Sequence, residues 1–348
     1  MTQKVVLQYG SLAGWPFTLA ESLGAIGRSS ISVIPEDRDF ADLKRHLPFH
    51  SAISNTGSSR LYKAAQRLNF LLQVPAHFSF VHYHASHILR GKAHHLFEGP
   101  YLRRFGIPML VSFSGSDARI LSKAAKNNPY FFRAPDPAHD ASVERYLKSI
   151  SRNIRFAATD CEMAEYVSPY FEHVFTFRQP IILNNFRPSD PIAGRPPILL
   201  HVPTDTEVKG TSHIVAAVEK LRTEGLQFEF RMMRHLTQAQ LHGEIAMCDI
   251  YVDELRCGSY GVTATEAMAA GKPVITYIRA DLVGKYPADL PIVNANPDTV
   301  QEELRKLILD PAYRTRKSSE GRKYVEKYHD ALVVAREMLD IYRLVGLK

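Results

Sequence analysis

The sequence predicts an α/β protein of two Rossmann-like, doubly wound domains that face each other across a cleft. Three observations carry this expectation. A strand–loop–helix–strand unit opens the chain, an aperiodic proline-rich stretch divides it near the middle, and a second such unit follows. Two parallel sheets in series put strand C-terminal ends on both sides of a cleft, which is where open α/β sheets bind ligands.

The first strand is the apolar run Lys4–Tyr9, which ends in the small-residue loop Gly10–Gly14. Its Gly-x3-Gly spacing is not the dinucleotide fingerprint. Pro16 suits a first helical turn, Leu19, Leu23 and Ile26 form one apolar face, and Gly27 suits the stop. Ile31–Ile34 is the next strand. Phe78–Tyr83, Met109–Phe113, Ile154–Ala158 and His173–Phe177 continue the pattern. The stretch Leu183–Pro197 is rich in proline and lacks periodicity, as an interdomain linker does. Ile198–Val202 then opens the second unit, with Phe228–Met233, Ile250–Val252, Val274–Tyr277 and Ile292–Val293 as its later strands. The expected units are 1–188, 189–328, and a C-terminal helix within 329–348 that packs back on the first domain.

Composition narrows the class. The chain has 348 residues, long for one domain and comfortable for two. Its three cysteines, Cys161, Cys248 and Cys257, are widely spaced and offer neither a disulfide framework nor a CxxC metal pair. No apolar run reaches the ~18 residues of a membrane-spanning helix, and the N-terminus lacks the layout of a signal peptide. A cytoplasmic protein, at most peripheral at the inner face of a membrane, is expected. The net charge of +7 is unevenly placed. Residues 1–188 hold 22 Lys and Arg against 14 Asp and Glu, while 189–348 hold 21 against 22. The first half is therefore either ordinary solvated surface or suited to an anionic partner, such as an acidic glycan, a phosphorylated lipid or an anionic membrane face. No nucleic-acid-binding motif is present, so no nucleic-acid partner is expected.

The most informative segment runs from Asp253 to Ile275. A strand ends near Val252, a loop with Gly258 and Gly261 follows, and a short helix starts near Val262 and stops at Gly271. Helix N-termini carry free N–H groups and about half a positive charge, so they attract phosphate. Glycines let the backbone approach an anion closely. Glu266, one turn inside the helix, can accept two hydrogen bonds from a ribose diol.

The run from Gly261 to Ile275, with Glu266 followed by Ala-Met-Ala-Ala-Gly-Lys-Pro-Val, closely resembles the donor-binding motif of retaining glycosyltransferases of the GT-B fold. The resemblance implies a nucleoside diphosphate sugar as donor, no bound cofactor and no metal. It makes the first domain the acceptor side and the second the nucleotide-sugar side. It assigns Glu266 to the ribose, and Gly258, Gly261, Val262 and Thr263 to the diphosphate. Lys209 and Gly210, before a helix early in domain two, would meet the leaving diphosphate. Two family positions differ. A second glutamate is expected eight residues before Glu266, where Gly258 stands; Glu254 or Asp253 is the substitute. An arginine expected upstream of Lys209 is missing, and Arg256 is the substitute.

In the first domain the resemblance points to Ser114 and Asp117, where the family often has His-Gly-x-Asp beside the reacting sugar. Asp117 either orients sugar hydroxyls or caps the next helix. Gly10, Gly14, His84 and Arg119 are the expected acceptor or sugar contacts. His82 and His84 share one strand face, but no further ligand completes a metal set. The stretch Arg90 to Arg104 interleaves basic and apolar residues, as a plain exposed helix or as a surface lying on anionic lipid does. The expected reaction is glycosyl transfer to an acceptor hydroxyl of a glycan, a lipid-linked glycan or a small molecule, with an anionic or lipid-linked glycan as the expected partner. A nucleotide-sugar epimerase and a catalytically idle binding subunit are the alternatives.

Overall fold

The computed structural model describes residues 4–37, 47–55, 57–113, 115, 117–189 and 194–348. The first sheet contains β1 (Val5–Tyr9), β2 (Ser30–Asp37), β3 (Ser51–Asn55), β4 (Phe78–His84), β5 (Met109–Ser112), β6 (Phe156–Thr159) and β7 (His173–Thr176). All pairs are parallel, in the order β3-β2-β1-β4-β5-β6-β7. The order reverses between β1 and β4, so a crevice opens at Tyr9–Gly10 and His84. The apolar pattern marks six of these strands. It does not mark β3, because Ser-Ala-Ile-Ser-Asn has neither an apolar run nor clear alternation.

Helices α1 (Trp15–Ala25), α2 (Arg60–His77), α3 (Gly99–Arg104), α4 (Leu121–Asn127), α5 (Pro137–Ser151) and α6 (Cys161–Val167) connect these strands. One wide turn, His94–Glu98, precedes α3. Asp136 and Asp160 cap α5 and α6 by accepting two backbone N–H bonds each.

The second sheet contains β8 (Ile198–His201), β9 (Glu229–Met232), β10 (Ile250–Val252), β11 (Val274–Thr276) and β12 (Val293–Asn294). Its parallel order is β12-β11-β10-β8-β9, with the reversal between β8 and β10. Around it lie α7 (Thr211–Thr223), α8 (Gln238–Met247), α9 (Val262–Ala269), α10 (Ala280–Val283), α11 (Val300–Leu309) and α12 (Pro311–Tyr328). These are two α/β domains of Rossmann-like build.

The last helix, α13 (Ala331–Val345), belongs to the first sheet's core. Its Val334, Ala335, Met338 and Tyr342 pack with Val6, Leu19, Leu23, Phe80 and Leu110. Trp15, just after the Gly10–Gly14 loop, lies in this core edge-on to Phe177. The chain crosses between the domains twice, and the crossings lie side by side. Ile181 N–H donates to His329 O (2.7 Å), and Ala331 N–H donates to Ile181 O (2.9 Å).

The Tyr342 hydroxyl is buried between His82 Nδ1 (2.7 Å) and Gln8 Nε2 (3.0 Å). Removing it leaves His82 Nδ1 without a partner in a dry core and takes one of two partners from Gln8 Nε2. Tyr342→Phe is expected to lower stability by about 1–3 kcal/mol, read from the urea unfolding transition.

Candidate functional site

The site is built at the β8/β10 reversal. His201, at the end of β8, is buried and ties three elements together. Its Nδ1 meets Val252 O (2.9 Å) and its Nε2 meets Thr211 Oγ1 (2.9 Å) at the start of α7. Burial pushes its pKa down to about 4, so the ring is a neutral strut. The strut fixes the turn before α7, which presents Lys209.

Lys209 Nζ lies 2.6 Å from Asp253 Oδ1 and 3.6 Å from Glu254 Oε2. Burial pulls the lysine pKa down, but the two carboxylates outweigh it and hold the ammonium charged. Glu254 moves the other way. Burial is the largest influence and raises its pKa to about 7, with Lys209 opposing. One oxygen of each acid, Asp253 Oδ2 and Glu254 Oε1, is buried without a hydrogen-bond partner. Gly210 adopts φ +69°, and a Cβ there would sit 3.1 Å from Arg256 Cγ. A side chain at Gly210 would press on the Leu255 and Arg256 side chains and adopt a strained left-handed backbone.

Helix α9 starts directly beside this pair. A Cβ on Gly261 would lie 3.8 Å from Asp253 Oδ2 and 3.9 Å from Lys209 Nζ. No side chain caps α9, so the amides of Val262 and Thr263 lack the usual capping acceptor. Glu266 is buried one turn further in, with Oε1 3.1 Å from His242 Nε2 of α8. His242 in turn packs on Phe186 (4.7 Å). Nothing in the polar α8 sequence marks His242; only the fold brings it to Glu266.

Gly258 has a physical explanation. It adopts φ +89°, and a Cβ would lie 3.1–3.2 Å from the Arg279 side chain. Arg279 is buried and makes a two-pronged ion pair with Glu165 of α6 (3.1 and 2.7 Å) and a second pair with Asp281. The position where a glutamate was expected is thus packed against an arginine that reaches into the other domain.

Arg256, the expected stand-in for a diphosphate-binding arginine, donates from Nε to Tyr130 O (2.9 Å) across the domain seam. Asn128 Nδ2 returns the contact, donating to Arg256 O (2.7 Å) and Cys257 O (3.1 Å). Arg256 therefore clamps the domains together.

On the first-domain side, Gly10 is required by contact, because a Cβ would collide with the His84 carbonyl oxygen. Gly14 has φ +80° and precedes α1. His84, an expected acceptor or sugar contact, is buried. Its ring is 1% exposed and bonds Gln8 Oε1 (2.8 Å), and burial lowers its pKa to about 3. It supports the Gly10 turn from below and does not face solvent. Arg119 is also engaged, in a buried two-pronged pair with Glu162 (2.9 and 2.7 Å), and its charge reaches Glu254 and Cys257 across the seam. Asp117 accepts from Gly115 N–H (2.8 Å) and tightens that turn. Ser114 lies outside the described residues. His82 bonds Tyr342 and Ser112, and no set of three or more metal-ligating side chains occurs among the described residues.

Residues 222–324 match the family of glycosyl transferases, group 1. The matched stretch contains Glu254, Gly258, Gly261 and Glu266. The match lies within the second domain and covers β9 to α12 in large part. Solved structures match over the whole chain. Sucrose-phosphate synthase from Thermosynechococcus elongatus is 16% identical at TM-score 0.66, covering 99% of each chain. HepE of Anabaena, in complex with UDP-glucose, is 11% identical at TM-score 0.65, covering 98% of this chain and 100% of that one. WaaG, a glycosyltransferase involved in lipopolysaccharide biosynthesis, is 15% identical at TM-score 0.61, covering 97% and 99%. The fold is GT-B. No curated protein matches.

Gly258→Glu introduces the glutamate expected from the motif resemblance but must displace Arg279 and adopt a left-handed backbone. It is expected to lower stability by about 1–3 kcal/mol, measured by thermal or urea unfolding, and to gain no donor affinity.

Proposed function

We propose that the protein transfers a glycosyl unit from a nucleoside diphosphate sugar to an acceptor hydroxyl, with retention at the anomeric carbon and without a metal. One observation carries the reading: the uncapped start of α9 lies beside the Lys209 ammonium, and Glu266 stands one turn further along the same helix. Amides at Val262 and Thr263 and the Lys209 charge would take the diphosphate. Both strengthen as negative charge builds on the leaving group, which is what lowers the barrier. Glu266, oriented by His242, would accept from the ribose hydroxyls.

Gly258 offers the sugar no carboxylate, but two acids stand close by. The unpartnered oxygens Asp253 Oδ2 and Glu254 Oε1 sit beside Lys209, and hydroxyls of the bound donor would supply the hydrogens they lack. The UDP-glucose in the HepE structure supports uridine nucleotides as the first donors to test. An anionic or lipid-linked glycan as acceptor fits the basic surplus of the first domain. Nucleotide binding without transfer is the second reading, favoured by Arg279 filling the space beneath Gly258. Assay of donor consumption across an acceptor panel separates the two.

A saturating nucleoside diphosphate at about 100 times its dissociation constant is expected to stabilise the protein by about 2.7 kcal/mol. Glu266→Ala should abolish most of that thermal shift. An unchanged shift in the variant would refute the ribose assignment.

Glu254 adds a pH signature. Its folded pKa, about 7, lies above its ordinary 4.5, so the folded state favours the protonated acid. The stability from that protonation is fully present below pH 4.5 and is lost as pH rises through about 7. The new charge also opposes a diphosphate. Nucleotide affinity is therefore expected to fall as pH rises through 7 in the native protein and to vary less in Glu254→Gln, as titration calorimetry at several pH values would measure.

A further inference from the structure

Helix α2 carries an apolar stripe on its solvent side. Leu61, Ala65, Leu68, Leu72 and Ala76 recur at helical spacing, and all are exposed, Leu61 to 86%. The opposite side, with Arg67, Leu71 and Val74, is the one buried against the sheet. A helix with apolar residues on both sides normally has a second partner. A second exposed apolar strip adjoins it. Phe97, Tyr101 and Phe105 stack in sequence, with ring centroids 5.8 and 4.9 Å apart, and Leu96 beside them is 67% exposed. The two strips are joined where the Tyr101 hydroxyl donates to Leu72 O (3.1 Å).

Charge identifies the partner. Between Gly57 and Phe113 the chain has seven Lys and Arg and one acid, Glu98. Glu98 is buried, bonded to Tyr83 and to the Ile88 and Leu89 amides. Five of the cations, Arg60, Arg90, Lys92, Arg103 and Arg104, are exposed. A second copy of the chain would bring these cations against their own kind, which disfavours self-association. An aliphatic stripe contributes little to binding a nucleic-acid backbone, which is dominated by phosphate contacts. Aliphatic and aromatic residues set among cations with no exposed acid match the interface of an anionic bilayer, where the apolar atoms enter the acyl boundary and the cations meet headgroups.

We propose that the outer side of α2, together with the 96–105 segment, is a docking surface for an anionic lipid bilayer. The surface lies on the first domain, and its cation Arg90 reaches Glu36 at the end of β2 (2.5 Å). Glu36 also meets Lys63 and Arg67 of α2. Docking there would set the C-terminal edge of the first sheet beside the headgroups. The inference holds independently of the transfer reaction, because vesicle binding needs no donor.

The test is flotation of the full chain with vesicles of phosphatidylcholine alone, and with vesicles in which about a third of the lipid is phosphatidylglycerol. Binding is expected only to the anionic vesicles and should weaken with salt. The double variant Leu61→Glu/Leu68→Glu should reduce partitioning about tenfold or more, and Arg103→Gln/Arg104→Gln also about tenfold. All four positions are exposed, and an unchanged circular dichroism spectrum and thermal transition would verify folding. Failure to float with anionic vesicles overturns the proposal. So does equal binding by the leucine variant, which would place attachment elsewhere. Light scattering that shows a dimer dissolved by the leucine variant, without vesicle binding, would assign the stripe to self-association instead.

Discussion

One buried histidine holds the two halves in relation. His329 lies at the second crossing between domains, and its Nδ1 meets Gln179 O (2.9 Å) beside the first crossing. Its Nε2 meets the Tyr260 hydroxyl (3.0 Å), which belongs to the loop leading into α9. Burial lowers the pKa of the ring to about 4, so it bridges as a neutral group over the ordinary pH range. In a fully dry position each of these bonds lacks a competing water, and losing one leaves an unpaired polar atom. The interdomain crossing and the loop leading into α9 are therefore mechanically one piece.

The same loop is held at a second place by the other domain. Arg279 under Gly258 pairs with Glu165, and Asn128 grips the carbonyls of Arg256 and Cys257. The loop is thus suspended between hinge and seam. This explains why a glycine can stand where the family carries an acid: the volume is taken by a charge whose partner comes from the first domain. A buried ion pair of this kind contributes little net stability, but breaking it is costly, about 3–5 kcal/mol. Its effect is to couple domain placement to loop shape.

Much of the architecture was legible because it depends on local pattern. Apolar runs marked six of seven strands in the first sheet and all five in the second, and the helix-opening motif at Gly261–Glu266 marked the start of α9. What escaped depends on contacts far apart in sequence. His242 meets Glu266 only after α8 packs beside α9, and the contact of Arg256 with Tyr130 joins residues 126 positions apart. His84 illustrates a related limit. Its place at a strand end was readable, but the burial that turns it into a support for Gly10 arises from packing against Gln8 and His82. Position along a strand is encoded locally; which side of the surface a ring ends up on is not.

The paired crossings at Ile181 and Asp330 also have a topological meaning. Because α13 returns to the first sheet, everything from about residue 182 to 329 is an excursion that leaves and re-enters at a single point. The second domain is an insertion in the first, tethered by two adjacent chain segments joined at the Ile181–Asp330 bridge. A body mounted this way can turn about its mount with torsion confined to a few residues, and neither sheet need be disturbed.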